Sequence, residues 1–598
     1  MSSIIQTIQQ AASRAMHTTY GVEIAAETIV IQETKKEFDG DFTLVVFPFA
    51  RFRLGKPEII GETLGRVLVE LVPEIEDFNV IKGFLNLSLK ADWWVSFFAN
   101  AVQDEQYFTT NIGEGKTVVV EYCSPNTNKP LHLGHLRNII LGYSVTEILK
   151  ANGYTAIPTC LFNDRGTNIS KSMYSWQQDG NGDTPESTGL KGDKLVGKYY
   201  VDYSVKLAEE VAQLLDTGMD RKEAEKAAPS SQAIQEMLIK WEEGDPETRE
   251  LWETMNGWVY EAYKDTFQRL GVEFQQFYYE SKVYQRGRET VQEGLERGIF
   301  FKDDAGSVVV DNSDVKLDKK VLLRSNGTSL YITQDLAIAA DKYNEFHMDK
   351  SIYVVGDEQN YHFQVLFAVL KKLQKPYAEG LFHLSYGMVD LPSGKMKSRE
   401  GTTVDIDDLV EEVKQKAKEE TQRLGKTEGM TEAELDQLYE VLGMGGLKYF
   451  LAKVDPKKRM LFNPEESVDL QGHTGPFIQY SSTRIASLVR KQAELDLPSY
   501  TAELALEDPL NEGERSLIKR LFQYKALLQE AAHTYNPALI ANYAYELARD
   551  FNRFYQGPKI LQAEKPNTSS FRFALSAFTG KALKEALSLL GIAVPDRM

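Results

Sequence analysis

The sequence is poor in cysteine and contains no long apolar run. Only Cys123 and Cys160 occur among 598 residues, which argues against a disulfide framework or a thiolate zinc site and predicts two buried, reduced thiols. No stretch approaches the ~18 consecutive apolar residues that a membrane span needs, and the first residues lack a charged segment followed by an apolar one. We therefore expect a cytoplasmic protein without membrane contact and, at this length, several domains.

Negative charge predominates, but it is unevenly distributed. The net charge is -19, yet from Val441 to Met598 there are 20 Lys and Arg against 17 Asp and Glu, so the preceding residues carry -22. The total argues against nucleic acid coating the whole chain, whereas the asymmetry suggests that the C-terminal part meets an anion. Cationic runs are also common on solvated helix faces, so charge alone does not decide between these alternatives.

The pattern of apolar residues predicts three regions. Residues 1–105 show paired strands around turn residues and predict an α+β domain. Residues 106–406 predict an α/β domain: the β-branched run TVVVEYC, an apolar helical pattern ending at Asn152, and the strand TAIPTCLFND form the βαβ unit of a Rossmann-type, doubly wound sheet. A polar, amphipathic stretch at about 170–271 predicts a helical insertion, and residues 407–598 predict an all-α domain.

The stretch SPNTNKPLHLGHLRN, directly after the first β-branched run, carries His132 and His135 on either side of Gly134. As a metal site the pair lacks a third ligand at a suitable spacing, and as surface histidines they would need no ligand. The context favours a third interpretation. A helix that starts at the carboxyl end of a parallel strand offers unpaired N–H groups to a phosphate, Gly134 removes a side chain that would block the ligand, and both histidines would donate hydrogen bonds to it.

A second cationic segment, DLPSGKMKSREGT, follows a predicted strand. It places Lys395, Lys397 and Arg399 beside Ser398 and two glycines. Such a loop could close over a polyphosphate, although a solvated basic turn would explain the segment if it stood alone.

Together, HLGH and GKMKSREG resemble the HIGH and KMSKS signatures of class I aminoacyl-tRNA synthetases. The segments RSNGTSLYITQDLAIAADKY, YVVGDEQNYHFQ, GHTGPFIQYSSTRI and LLGIAVPDRM are similar to those of arginyl-tRNA synthetases, and the resemblance covers essentially the whole chain. It implies a class I catalytic domain between an N-terminal tRNA-binding domain and a helical anticodon-binding domain. The implied reaction joins arginine and ATP into arginyl-adenylate and then transfers arginine to the 3′ end of its tRNA, which is needed for activation.

The resemblance also implies the site residues. The residues expected at ATP and in catalysis are Lys129, His132, Gly134, His135, Lys395, Met396, Lys397 and Ser398. Those expected at arginine are Glu121, Ser124, Asn126, His135, Tyr331, Asp335 and Gln359, and those at tRNA are Gln479, Tyr480, Arg484 and Met598. A guanidinium has five donors and no acceptor, so carboxylates and amide oxygens suit it. Mg²⁺ is expected with ATP, without a resident metal site, and we expect a monomer.

Two departures from the family pattern stand out. The second signature lacks its second lysine, and Lys129, just before HLGH, would replace it; Gln334-Asp335 stands where Arg-Asp is usual. The alternatives are a synthetase for another amino acid, a small nucleotidylyltransferase, and a non-catalytic paralogue that binds RNA. The large helical C-terminal region disfavours the second, and the intact histidine signature disfavours the third.

Overall fold

The structure of the chain is a computed structural model that describes residues 4–35, 37–326, 330–390, 404–425, 429–492, 498, 500–501, 506–562 and 564–598. These residues form two compact units. The first is drawn from Met1–Tyr107, Gln492–Phe522 and Arg553–Phe578, and the second from Phe108–Lys491, Gln523–Asn552 and Thr579–Met598. The predicted all-helical region thus contributes to both units, and the domain bounds inferred from the sequence stay a prediction.

The regular elements are numbered in chain order. The described strands are β1 (Ile31–Glu33), β2 (Phe42–Val45), β3 (Ile75–Ile81), β4 (Phe84–Leu89), β5 (Thr117–Glu121), β6 (Thr155–Phe162), β7 (Gln276–Tyr279), β8 (Phe300–Lys302), β9 (Val308–Val310), β10 (Lys320–Leu323), β11 (Lys350–Gly356), β12 (Leu381–Tyr386), β13 (Val389–Asp390) and β14 (Met460–Leu461). The described helices are α1 (Ile4–Tyr20), α2 (Pro57–Leu71), α3 (Ala91–Gln103), α4 (Leu133–Ala151), α5 (Thr167–Asp179), α6 (Pro185–Thr188), α7 (Gly192–Asp216), α8 (Arg221–Ala227), α9 (Pro229–Glu243), α10 (Pro246–Leu270), α11 (Glu280–Val283), α12 (Gly287–Glu296), α13 (Tyr331–Phe346), α14 (Asn360–Lys372), α15 (Ile406–Leu424), α16 (Glu432–Ala452), α17 (Pro464–Ser467), α18 (Gly475–Gln492), α19 (Glu512–Thr534), α20 (Pro537–Gln556) and α21 (Pro566–Ser588).

A five-stranded parallel sheet organises the second unit, in the order β12-β11-β5-β6-β7. β5 is rich in valine and buried, as expected of a parallel strand that is covered on both faces. The chain passes from β5 through α4 to β6 on one side, whereas β11 and β12 extend the sheet on the other side of β5. The strand order therefore reverses between β5 and β11, and ligands of such sheets bind beyond the carboxyl ends of the strands at this point. The predicted Rossmann-type sheet is confirmed.

Helix α4 differs from the one-faced apolar helix that the sequence pattern indicated. It ends at Ala151, with Asn152 as the C-cap as predicted. Its polar residues Arg137 and Asn138 are as buried as its apolar ones, because the helix packs against the sheet and against α15 and α16. Polar groups that are buried in this way each need a hydrogen-bond partner. Asn138 finds a partner in the turn after β5, and Arg137 finds one at Gly387.

The first unit contains a four-stranded antiparallel sheet, in the order β1-β2-β4-β3. Its hairpins β1-β2 and β3-β4 are the two strand pairs predicted from the sequence. Asp41, just before β2, has a buried carboxylate that forms ion pairs with Arg515 and Lys519 of α19. The α+β character predicted for the N-terminal region is therefore confirmed.

The remaining elements are mostly helical. Helices α5 to α10 lie between β6 and β7, where the sequence predicts the helical insertion, and from α15 onward the only described strand is the short β14. β8 to β10 form a small antiparallel sheet, and β13 pairs with β14. Both cysteines are buried and unbridged. Across the described ranges, no helix combines the length and the apolar character that crossing a membrane requires.

Candidate active site

The turn between β5 and α4 has a backbone conformation that most residues avoid. Cys123 and Ser124 have φ angles of 73° and 35°, in the left-handed region, which costs a residue other than glycine about 1–3 kcal/mol. Asn138 holds this turn in place. Its Oδ1 accepts a hydrogen bond from Cys123 N at 2.6 Å, and its Nδ2 donates to Val354 O of β11 at 2.7 Å. The strained turn is therefore fixed at the point where the strand order reverses.

His132 and His135 form a capping box at the N-terminus of α4. Gly134 N donates to His132 Nδ1 at 3.2 Å, and His132 N donates to His135 Nδ1 at 3.1 Å. Because each Nδ1 accepts a backbone hydrogen bond, each neutral ring carries its proton on Nε2. The ring centroids lie 3.9 Å apart. A Cβ at Gly134 would lie 3.0 Å from His132 Cε1, so glycine also leaves this ring undisturbed. The pair thus retains two neighbouring N–H donors.

Burial keeps both imidazoles neutral. It lowers the pKa of His132 to about 4, and the charge of Lys129 adds to the effect. It also lowers the pKa of His135 well below its usual value, again reinforced by His132 and Lys129. The pKa of Lys129 is itself lowered by burial. Near neutral pH the histidines are therefore uncharged hydrogen-bond donors, and Lys129 supplies a cationic group next to them.

The second signature segment lies outside the described residues. Residues 391–403 include four predicted ATP-binding and catalytic positions, which are Lys395, Met396, Lys397 and Ser398. Their predicted contacts stay predictions.

The chain on both sides of this segment is bonded to the HLGH helix and turn. Before it, the buried Arg137 donates through Nη1 to Gly387 O at 2.5 Å. After it, Leu133 N donates to Val404 O at 3.3 Å. Leu133 lies between the two histidines in the sequence, and Arg137 follows His135 by two residues. The described residues on both sides of the second signature segment therefore lie close to the first signature.

Two carboxylates predicted to bind arginine have partners inside the protein. Glu121, the last residue of β5, is only 6% exposed, and its Oε2 lies 2.6 Å from Lys342 Nζ of α13. Asp335 Oδ2 accepts a hydrogen bond from His362 Nε2 of α14 at 2.6 Å. The sequence patterns indicated neither Lys342 nor His362 as a partner.

The other predicted arginine-binding residues lie around the same edge of the sheet. Tyr331 shares a face of α13 with Asp335, as predicted, and is 72% exposed. Asn126, after β5, and Gln359, after β11, are both exposed. Ser124 Oγ is buried and has no hydrogen-bond partner among the described residues. The strand order places the segments after β5 and β11 at one edge of the sheet, and the contacts of these residues with arginine stay a prediction.

Glu280 is a buried carboxylate near this group that the sequence analysis did not single out. Gln334 Nε2 donates to Glu280 Oε1 at 3.0 Å. Burial raises the pKa of Glu280 to about 7, although the nearby Arg165 acts in the opposite direction. In the family that the sequence resembles, arginine is usual at the position of Gln334, so in this chain an amide replaces a cation beside the carboxylate. That departure was the available sequence signal for Glu280.

Two family models match consecutive parts of the chain. A family model described as "tRNA synthetases class I (R), catalytic domain" matches residues 98–461, and one described as "DALR anticodon binding domain" matches residues 478–598. The chain belongs to the arginyl-tRNA synthetase family.

Individual members of the family cover the whole chain. The protein named arginine–tRNA ligase of Bacteroides thetaiotaomicron is 48% identical over 580 residues, 97% of each chain. The protein of that name from Parabacteroides distasonis is 47% identical over 598 residues, 100% of each chain. Among solved structures, the arginyl-tRNA synthetase of Thermus thermophilus has the same fold, with a TM-score of 0.79, 23% sequence identity and full coverage of both chains. The family predicted from the sequence is confirmed.

In the anticodon-binding part of this family member, the Gln479 amide is bonded within the protein. Its side chain is fully buried, and Nε2 donates to Val441 O at 3.0 Å and to Ala593 O at 2.7 Å. Both amide hydrogens are therefore used within the protein, which leaves none for a base. These bonds anchor the C-terminal segment, and the predicted contact of Gln479 with tRNA stays a prediction.

Tyr480 and Arg484, also on α18, are half-buried. The Arg484 guanidinium lies 4.4 Å from the centroid of the Tyr480 ring, and its Nη1 donates to Asn552 Oδ1 at 2.7 Å. At the C-terminus, Arg597 forms an ion pair with Glu434 at 2.9 Å, next to the half-buried Met598. The contacts of Tyr480, Arg484 and Met598 with tRNA stay predictions.

Proposed function

We propose that the protein is an arginine–tRNA ligase, which activates arginine with ATP and transfers it to the 3′ end of the arginine tRNA. One observation carries the proposal. Two neutral histidines at a helix N-terminus lie where the strand order of a parallel sheet reverses, and both flanks of the second signature segment are bonded beside them. Full-length relatives named for this activity support it.

In the activation step, an oxygen of the arginine carboxylate attacks the α-phosphate of ATP and displaces pyrophosphate. The carboxylate is already a nucleophile, so the step needs no general base, and catalysis consists of positioning and electrostatic stabilisation. The Nε2–H groups of His132 and His135 donate to the α-phosphate oxygens, and these bonds strengthen as charge builds up in the transition state. The N–H groups at the start of α4 favour the same charge.

The departing pyrophosphate needs cationic partners. Lys129 supplies one beside the histidine pair, and we propose that Lys395, Met396, Lys397 and Ser398 of the second signature complete the site. Within the described ranges no group of three or more His, Cys, Asp and Glu side chains could hold a metal ion. We propose that Mg²⁺ arrives coordinated by the phosphates of ATP, and we assign it no protein ligand and no step.

Arginine recognition uses acceptors, because a guanidinium only donates. We propose that Glu121, Asp335 and Gln359 accept from the substrate's cationic groups, and that Ser124 and Asn126 lie alongside it. Tyr331 and His135 complete the pocket. A site built from such polar groups rejects a substrate that leaves them unpaired by roughly four orders of magnitude. The synthetase would therefore not need an editing step.

The tRNA would contact the helical C-terminal part through Tyr480, Arg484 and Met598, together with the N-terminal region. We propose that aromatic stacking on an anticodon base contributes, since stacking on aromatic side chains is a general way of recognising unpaired bases. The protein is proposed to act as a cytoplasmic monomer.

Pyrophosphate exchange tests the proposal. The purified protein would be assayed with arginine and with each other amino acid, in the presence and absence of tRNA. We expect exchange only when arginine and tRNA are both present. Exchange with a different amino acid would overturn the substrate assignment, and tRNA binding without any exchange would favour a non-catalytic RNA-binding protein.

A further inference from the structure

Helix α13 presents three functional groups on one face. Tyr331, Asp335 and Lys342 lie within about 40° of one another around the helix axis. Exposure falls along this stripe. Tyr331 is 72% exposed, the side chain of Asp335 is 29% exposed, and the side chain of Lys342 is fully buried. The stripe thus runs from an exposed residue at the start of the helix to a fully buried one near its end. Long helical side chains lean toward the N-terminus, so Lys342 extends back toward Asp335.

The ammonium group of Lys342 is enclosed by the sheet below the helix. Glu121 of β5 and Tyr353 of β11 are direct neighbours in the sheet register. Lys342 Nζ lies 2.6 Å from Glu121 Oε2 and 4.1 Å from the centroid of the Tyr353 ring. The cation therefore bridges the strands β5 and β11, between which the strand order reverses.

Stability alone does not account for this pair. Removing two charges from water costs several kcal/mol for each ion, and a buried ion pair is often no more stabilising than apolar residues of the same volume. A lysine placed in the apolar core between α13 and the sheet therefore indicates an effect on its partner. That partner is a carboxylate at the edge of the proposed arginine pocket.

The two oxygens of Glu121 are in different surroundings. Oε2, which faces Lys342, is sealed from solvent, whereas the side chain as a whole keeps 7% exposure. Oε1 is the only other polar atom of this side chain, so it is the atom left for a cationic group of the substrate.

We propose that Lys342 is a positioning residue for arginine recognition. By fixing Oε2 of Glu121, it presents Oε1 to a cationic group of the substrate. This role rests on the proposed function, because it requires that Glu121 binds arginine. Lys342 itself touches no substrate.

The test compares Lys342→Met with Lys342→Arg in steady-state aminoacylation by the full-length protein. Loss of the ammonium should raise the arginine KM by about 10- to 100-fold, leave the ATP KM within about twofold, and lower kcat less than it raises the arginine KM. Lys342→Arg keeps a cation that also stacks on tyrosine and should restore most of the arginine affinity. Unchanged arginine KM in Lys342→Met would overturn the proposal.

A second buried lysine provides the matched control. Lys448 Nζ donates to Leu270 O at 2.6 Å and to Gly591 O at 2.5 Å, without a carboxylate partner among the described residues. Lys448→Met should lower stability but keep the ratio of the two KM values near that of the unsubstituted protein. An equal rise in arginine KM in both variants would overturn a specific role of Lys342.

A double-substitution cycle keeps the test decisive if Lys342→Met alone does not fold. Glu121→Gln/Lys342→Met leaves no lone buried charge, and its arginine KM should equal that of Glu121→Gln, because Lys342 acts only through Glu121. A further rise in the double variant would overturn the proposal. If the unsubstituted protein activates no arginine, the proposed function fails as well. If the unsubstituted protein does activate arginine and Lys342→Met has the same arginine KM, only the role of Lys342 fails.

Discussion

Replacing His132 should separate two effects that the capping box combines. His132→Ala removes the Nε2–H donor to the α-phosphate and also the Nδ1 atom that accepts from Gly134 N at 3.2 Å. Loss of one preorganised donor raises the activation barrier by about 2.7–4 kcal/mol, which slows the step by about 100- to 1000-fold. Loss of an N-cap acceptor lowers the free energy of unfolding by about 1 kcal/mol. The catalytic effect is the larger one, so the two can be measured separately.

His132→Asn is the matched variant. Asparagine is among the best N-cap residues, so its Oδ1 replaces Nδ1 as the acceptor for Gly134 N, but it does not carry a donor to the position of the imidazole Nε2. We expect both variants to be slow in single-turnover adenylate formation, and only His132→Ala to lose stability in urea unfolding. A normal rate in His132→Asn would refute the assigned role, because it would make N-capping the only function of the ring.

The pH dependence provides an independent check. The pKa of His132 is lowered to about 4, so the native protein keeps this ring neutral between pH 8 and pH 6. Titration of His132 should therefore not affect the rate of adenylate formation in this range. The pH profiles of the unsubstituted protein and of His132→Asn should have the same shape. An apparent pKa near 6.5 that is absent from the variant would contradict the effect of burial.

Three further predictions follow from the same site. Lys129→Ala should slow pyrophosphate exchange by about 100-fold or more through loss of a cation at the phosphates, whereas Lys150→Ala, exposed at the other end of α4, should leave exchange unchanged; equal rates in the two variants would contradict the role of Lys129. Asp335→Asn should raise the arginine KM by about tenfold or more without raising that for ATP; Asp341→Asn makes the same charge change on the same helix and should affect neither KM. Glu280→Gln should stabilise the protein increasingly as pH rises. The pKa of Glu280 is raised from 4.5 to about 7, so above pH 4.5 the unfolded chain loses this proton before the native state does, and the native state loses stability. The difference in free energy of unfolding should reach on the order of 3 kcal/mol above pH 7 and vanish near pH 4.5; a difference independent of pH would contradict the raised pKa.

The elements at the edge of the sheet could be predicted because their signals are local. A short β-branched run bounded by polar residues predicts β5, and the stop at Asn152 predicts the end of α4, without reference to the rest of the chain. The family signatures added the site residues, and strand order then explains why segments after β5 and after β11 lie at one crevice. Local pattern and global topology agree here, as expected of a chain with one stable fold.

Contacts between distant segments could not be predicted in the same way. Glu121 and Lys342 meet because β11 lies beside β5 and α13 packs on that face of the sheet, and neither fact is contained in the sequence around them. The available signal was that Lys342 lies seven residues after Asp335, on the same face, shortly after an apolar run. The burial of Gln479 likewise depends on Ala593, which is far along the chain.

The two halves of the site use a common physical arrangement. In each histidine, Nδ1 accepts a hydrogen bond from a backbone N–H, so the ring proton is on Nε2. In Glu121, Oε2 pairs with the buried ammonium of Lys342, and in Asp335, Oδ2 accepts a hydrogen bond from the imidazole of His362. Each functional group thus has one atom bonded within the protein, which orients the other atom before any ligand binds. Groups oriented in advance lose little further freedom on binding, so more of the interaction free energy remains for affinity and for the transition state. Substitution of an orienting partner should therefore weaken recognition or catalysis although no group that touches a substrate has been removed.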